Sequence, residues 1–432
     1  MTEQDQPASL TAGLVDLIGG KPISAADLDV AAHLVLDAIA NMIAGKNSAA
    51  GHMLLKFAAG RQGDPGRQAL LYGGLTHIHE VDDLHKASVV HPGCVTVPAA
   101  LALSRAGETD GPKFLTSVIH GFEACTRVGM AVGPAHYKIW HNTATCGVYG
   151  SAMAAGKLLG LNKGQLIDAL GNAGTQSAGL WQFLASGAMS KHLHAGRAAE
   201  AGVVAAELAA LGFTGPPAIL EGPQGFFAGA CPDADPSAVL RAPDAPWQIH
   251  ATSIKPWPCC RHTHPTIDAA VELAGQVRAE DITAIRLQVY QAAADVCDRA
   301  DVQDSYQAKF SLQHCVAHSL MTGRCGFDSF DASARRKAAE MAAKVHVMVQ
   351  PRLTEIYPDH WGCEVVVELT SGARLTATRD ACRGDPELPV TPDELRNKAR
   401  DLMIHGGVES PDPLIAAILS MSGGGLLPTL PF

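Results

Sequence analysis

SAADLDVAAHLVLDAIANMIAG, residues 24–45, reads as a helix from end to end. Ser24 and Asp27 have the spacing of a capping box, in which each side chain satisfies the other residue's backbone N–H. Leu28, Ala32, Val35, Ile39 and Met42 then recur at steps of three and four, and Gly45 is placed to stop the run. The same period continues outward, predicting helices over 97–106, 113–132, 143–159, 163–180 and 195–211. Gly147, Ser151, Ala154 and Ala155 on one of these, and Ala173, Ser177 and Ala178 on another, suit a bundle interior where backbones approach closely. Up to residue 248 the chain reads as helical.

After Pro246 the period changes. Ile285, Leu287 and Val289 alternate with Arg286 and Gln288, the pattern of a half-buried strand, and 345–349 reads the same way. Strands over 363–369 and 373–378 flank Ser371-Gly372 and predict a hairpin. Helices over 264–277 and 304–323 are interleaved with them. The expected fold is therefore mainly α: a large all-helical domain, 1–248, and a smaller α+β lid domain, 249–390. Leu395, Ala399, Leu402 and Met403 suggest a helix over 391–403, so that 391–432 completes the first domain. A chain of 432 residues exceeds the size at which one core keeps growing, which also favours two domains.

Composition excludes several classes. Hydrophobic residues make up 47% and charged residues 18%, which rules out a disordered chain. The net charge is −10 with no Lys/Arg block, so a nucleic-acid partner is not expected. The polar start MTEQDQPASL and the absence of a recognised spanning run predict no signal peptide, no membrane partner and a cytoplasmic protein. Eleven dispersed cysteines without a C-x-x-C favour reduced, buried thiols. Gly222–Gly225 and Gly423–Gly425 lack the strand-before, helix-after context of a phosphate loop.

The chemistry concentrates in four blocks. HIHEVDDLHKASVVHPG, residues 77–93, holds His77, His79, His85 and His91 with Glu80, Asp82, Asp83 and Lys86. Titratable groups this dense shift one another's pKa, which acid–base chemistry requires. HYKIWHNTATCG, residues 136–147, places Tyr137 and His141 four apart, with His141 just before a helix whose dipole favours neutral imidazole. SKHLHAGRAA, residues 190–199, offers Lys191, His192, His194 and Arg197 ahead of an alanine-rich helix, an arrangement suited to an anion. SIKPWPCCRHTHPTIDAA, residues 253–270, carries Lys255 and Arg261 on a proline-stiffened loop. Cys259 and Cys260 lack a Cys-His-Asn signature and are less favoured as nucleophiles than Lys255 is as a cleft cation.

These blocks, with QAKFSLQHCVAHSL at 307–320, come in an order that resembles the MmgE/PrpD family, which includes 2-methylcitrate dehydratase, cis-aconitate decarboxylase and iminodisuccinate epimerase. The resemblance runs from about His33 to Arg400. It implies a homodimer with a cleft between a helical domain and an α+β lid, and neither metal nor organic cofactor. It places the site on the acidic block and on His91, His141, Lys191 and Lys255, with a residue of the 307–320 helix. Decarboxylase-like members carry aspartate at Glu80, threonine at Leu84 and tyrosine at His314.

The expected function is a cofactor-independent dehydratase of a small di- or tricarboxylate such as a 2-methylcitrate-like hydroxy acid. Decarboxylation of cis-aconitate or epimerisation of an iminodicarboxylate would suit the same residues. Removing a proton next to a carboxylate needs a base within reach and positive charge on the group that becomes enolate-like. His91, His141, Lys191, Lys255 and Asp83 are the expected catalytic residues; Glu80, Asp82, His85, Tyr137, Arg261 and His314 are the expected substrate-binding ones. Two other classes compete. One is a zinc hydrolase on His77, His79, Asp82 and His85, although Val81 stands where the best-known His-x-His spacing has aspartate and no H-E-x-x-H occurs. The other is a non-catalytic carboxylate-binding protein.

Overall fold

The computed structural model describes residues 9–61 and 63–432. It divides into two compact units, one running through Thr252 together with Thr391–Phe432, the other Ser253–Val390. In the first unit α1 is Leu10–Gly20, α2 Ala25–Gly45, α3 Ala49–Ala58, α4 Pro65–His77, α5 Gly93–Ala102, α6 Gly111–Ala131, α7 Asn142–Leu159, α8 Lys163–Gly174 and α9 Ser190–Ala210. The capping box opens α2 as the sequence predicts: Ser24 N–H donates to Asp27 Oδ2 at 2.7 Å, and Asp27 N–H donates to Ser24 Oγ.

Small residues set the helix spacing. Ala69, Ala99, Ala155, Ala169, Ala199, Val203 and Ala206 form one buried seam across five helices. Ser151, deep in α7, donates its hydroxyl to the Ala198 carbonyl of α9 at 2.6 Å. A Cβ on Gly45 would lie 2.2 Å from the Leu75 carbonyl oxygen, so the glycine that ends α2 also admits α4. Mean hydropathy reaches 1.4 along α2, enough with its 21 residues to cross a bilayer, which corrects the reading that no such run exists. Of that stretch 78% is buried within the fold, as a core helix would be.

The second unit holds a four-stranded sheet with α10 (His264–Ala274), α11 (Leu312–Thr322) and α12 (Ala332–Ala342). Its strands are β1 (Ile282–Val289), β2 (Val345–Val349), β3 (Cys363–Leu369) and β4 (Arg374–Arg379), in the order β2-β1-β3-β4. β1 pairs parallel with β2, Leu287 opposite Val347, and antiparallel with β3, Leu287 opposite Val365. Ile285, Leu287 and Val289 point inward together, as their alternation requires.

Three helix expectations are corrected. The helix over 163–180 stops at Gly174, because the chain turns back and Gly179 O accepts from His141 N–H at 2.9 Å. Ser177 and Ala178 therefore lie beyond the bundle interior, Ala178 exposed. The helix over 304–323 is two pieces, Ser305–Ala308 and α11, with Ser311 capping the second through the His314 amide. Finally, α9 begins at Ser190 rather than 195, so the SKHLH block is its first turns.

Candidate active site

His77 is the last residue of α4, and the chain leaves it in a tight, strained loop. Glu80 and Val89 both have positive φ, 61° and 52°. For a β-branched residue such as Val89 that is an outlier costing about 1–3 kcal/mol, and such strain concentrates at functional sites. The loop is over-determined by polar contacts. Both Asp83 oxygens accept from Gly93 N–H at 3.0 and 3.1 Å, His91 N–H donates to Thr143 Oγ1 at 3.1 Å, and Asn142 donates to Ser88 O at 2.9 Å. The His-Pro-Gly turn is thereby seated on the first turn of α7.

Asp82 is fully buried, its Oδ2 2.7 Å from His77 Nδ1 and 3.4 Å from His91 Nδ1. Burial alone would raise its pKa, but the two imidazoles hold it well below the usual carboxylate range. Asp83 goes the opposite way: burial first, then the charges of Asp82 and Asp37, raise it well above that range. His77 lies edge-on to His91, with centroids 4.7 Å apart, and stacks over His141 at 5.8 Å. His141 is the residue before α7, without a side-chain cap bond, and its Nδ1 sits 3.4 Å from His194 Nδ1. Burial, then the charge of Lys191, push His141 well below the ordinary histidine pKa; the expected direction holds, but desolvation is the main cause rather than the helix dipole. Burial, followed by His77 and Lys191, lowers His194 to about 4.

Lys191, in the first turn of α9, forms a buried ion pair with Glu80. Buried pairs of this kind lose more by breaking than they gain by forming, so each member fixes the other. The structure thus gathers Glu80, Asp82, His91, His141 and Lys191 in the first unit, with Asp83 fastening the turn beside them. It adds His77, expected only in the zinc reading, and His194, which none of the expected sites included. His194 follows Lys191 by three residues, one face of a helix, and reading that block as preceding α9 hid the pairing. Trp181, with its ring 4.8 Å from that of His141, follows directly on the overextended helix and carried no signal of its own in the sequence.

Other candidates stand apart from this cluster. Both ring nitrogens of His85 are engaged, by Ser88 Oγ at 2.8 Å and Gln248 Oε1 at 2.9 Å, and burial lowers it to about 4. Tyr137 is half-buried and meets Trp181 edge-on at 5.4 Å, one ring removed from His141. His79 contacts the Ala44 carbonyl at 3.1 Å, so neither it nor His85 joins His77 and Asp82 as the zinc reading required. Ligand atoms of His77, Asp82 and His91, however, lie within 4.8 Å of one another, close enough to share a divalent cation.

In the second unit Lys255 is 1% exposed. Arg261 is buried against the Asp385 carboxylate and the Cys382 sulfur. Burial pushes the Cys382 thiol up, so Asp385 is the charge that partners the guanidinium. His314 donates Nε2–H to Ser329 O at 2.8 Å.

Imidazoles around one carboxylate, with a buried ammonium beside them, are groups suited to acid–base chemistry, and the family and relatives that match this chain make its class the lyases. The chain belongs to the MmgE/PrpD family, whose N-terminal domain matches residues 20–238 and C-terminal domain residues 257–418. Among curated relatives, a cis-aconitate decarboxylase of Aspergillus terreus is 26% identical over 375 residues, covering 79% of this chain and 75% of that protein. The cis-aconitate decarboxylases of Mus musculus and Homo sapiens are each 27% identical, covering 78% of this chain and 71% and 72% of theirs.

Proposed function

We propose that the chain is a lyase of small tricarboxylates, with cis-aconitate or a 2-methylcitrate-like hydroxy acid as substrate. The observation that carries this reading is the convergence of His77 and His91 on Asp82, with His141 stacked on His77, beside the Lys191–Glu80 pair. In decarboxylation the C–C bond to one carboxylate breaks, carbon dioxide leaves, and the electron pair is quenched by a proton from an imidazolium. In dehydration an imidazole takes the proton next to a carboxylate while the leaving hydroxyl is protonated. Both need a cation beside the carboxylate that carries the charge, the part Lys191 plays. Asp82 orients His77 and His91, and neutral His141 is the base. Lys255 is a further candidate cation, with its own test below. The names of the relatives favour decarboxylation; Glu80, Leu84 and His314, which depart from decarboxylase-like members, favour a different acid.

The deciding experiment incubates the protein with cis-aconitate and with 2-methylcitrate in deuterated buffer and follows both by NMR. Loss of carbon dioxide with deuterium incorporated at the carbon it leaves, or loss of water, is expected. If no acid loses either and none exchanges a proton, the reading fails. The cation-sized grouping of His77, Asp82 and His91 favours one other reading, a metal-dependent enzyme. Stoichiometric metal in the purified protein, with activity lost to a chelator, would establish that instead. We further propose a cytoplasmic homodimer, supported by eleven buried free cysteines and by the family resemblance. Sedimentation equilibrium tests the dimer.

A further inference from the structure

Lys255 stands in a segment, residues 253–261, with little regular structure of its own, yet its side chain is almost wholly buried. A second loop, 382–385, fastens that segment. Asp385 is fully buried and spans it: Oδ1 accepts the Ser253 hydroxyl at 2.7 Å and pairs with Arg261 at the far end, while Oδ2 accepts Cys382 N–H at 3.0 Å. Ile254 N–H donates to Gly384 O at 2.9 Å. Gly384 has φ +90°, and a Cβ there would lie 1.9 Å from the Ile254 carbonyl oxygen, so only glycine admits this approach. A second carboxylate repeats the pattern: Asp268 accepts Trp257 Nε1–H at 2.8 Å and Arg383 N–H at 2.7 Å. Residues on both sides of Lys255 are thus stitched to one short loop.

We propose that Asp385 is the positioning residue for Lys255, one carboxylate that grips Ser253 and Arg261 and so fixes the stretch of chain that carries the ammonium. The proposal rests on the reading of Lys255 as a substrate-facing cation in the lyase reaction. A displacement of about an ångström in such a group can cost on the order of a hundredfold in rate, which makes a clamp of this kind consequential. It also gives Arg261 an internal task.

The test uses the full chain with Ser253→Ala, Asp385→Asn and Lys255→Met, and the double variant of the first and last. Asp385→Asn strands a buried guanidinium and can fail to fold; Ser253→Ala removes one hydroxyl only and keeps the test open. Hydrogen exchange read by mass spectrometry should show amides 254–260 exchanging about tenfold faster in Ser253→Ala, with the sheet unchanged. With the acid found active above, Ser253→Ala should lower kcat/KM about tenfold in the native background and by nothing further in Lys255→Met, the signature of two residues acting as a unit. Unchanged exchange in 254–260, or an equal loss in both backgrounds, overturns the proposal. Full activity in Lys255→Met would remove that residue from the reaction; the exchange experiment would still decide whether Asp385 holds the segment.

Discussion

Asp82 and Asp83 are neighbours in the chain, and the fold drives their protonation in opposite directions. Burial pushes both upward, since both are almost completely buried, and their partners decide the difference. Asp82 faces two imidazoles, whereas Asp83 faces Asp82 and Asp37 and is relieved only in part by the Gly93 N–H and Lys398. Carboxyls whose environments separate their titrations divide the work of an acid–base site. Asp82→Asn keeps the shape and removes the charge that orients His77 and His91. It should lower kcat by roughly 10²–10⁴-fold, the usual worth of a positioned proton-transfer group, and should leave the KM for the acid within a fewfold. Steady-state kinetics checks this; a loss confined to KM would mean that Asp82 serves binding alone. The Lys191 charge makes a second prediction. Because it depresses His141, Lys191→Met should move the His141 titration upward, toward the ordinary histidine pKa near 6.5. An NMR titration of the His141 ring protons that shows no change, or a fall, would remove Lys191 from its surroundings.

At the scale of the element, local signals and long-range contacts divide what could be read from the sequence. The capping box of α2, the alternation in β1 and the Ser371-Gly372 hairpin are local, and each was legible. The end of α8 was not, because the helical period continues through Ala173, Ser177 and Leu180 while the turn is made by a long-range hydrogen bond, His141 N–H donating to Gly179 O. The start of α9 was misplaced for a related reason: Lys191 and His194 look like loop residues until Glu80 and His141 come to meet them. The acidic–histidine block announced a site by its density, yet it could not show that His85 would turn to Gln248, far away in the chain, while His77 turned inward. Gly45 likewise read as a helix stop, and the structure gives it a second task. Gly45→Ala would place a methyl 2.2 Å from Leu75 O and force α2 from α4. Overpacking of this kind costs about 1–3 kcal/mol, less up to about 1 kcal/mol regained from the stiffer unfolded chain. A fall in Tm of roughly 2–8 °C is expected by circular dichroism. An unchanged or higher Tm would show that the two helices can give way.

On the scale of the molecule, the helical unit buries histidines it must keep neutral, and that makes its stability depend on acid. Burial lowers His85 to about 4 and His120 to about 3, well beneath the ordinary 6.5. His120 has no hydrogen-bond partner for Nδ1 among the described residues and rests against Trp247, with ring centroids 5.5 Å apart, so nothing there rewards a proton. Below pH 6.5 the unfolded chain protonates both imidazoles while the folded chain protonates neither. The unfolded state therefore binds more protons, and stability must fall as pH falls, until the folded groups themselves titrate near 4 and 3. Above pH 6.5 their contribution is complete and flat. At pH 5.5 each group costs about 1.4 kcal/mol, one pH unit of linkage, and the two together about 3 kcal/mol of a stability that in most domains is only about 5–15 kcal/mol. These two groups alone should accordingly take roughly 6–12 °C from the thermal melt of the helical unit between pH 7.5 and 5.5, with His141 and His194 adding to the loss. His120→Phe removes one of these titrations while filling the space against Trp247, so its acid limb at pH 5.5 should be shallower than the parent's by about 1.4 kcal/mol. An acid limb as steep in His120→Phe as in the parent would place the proton uptake elsewhere, in carboxylates such as Asp82 whose ion pairs fail at still lower pH.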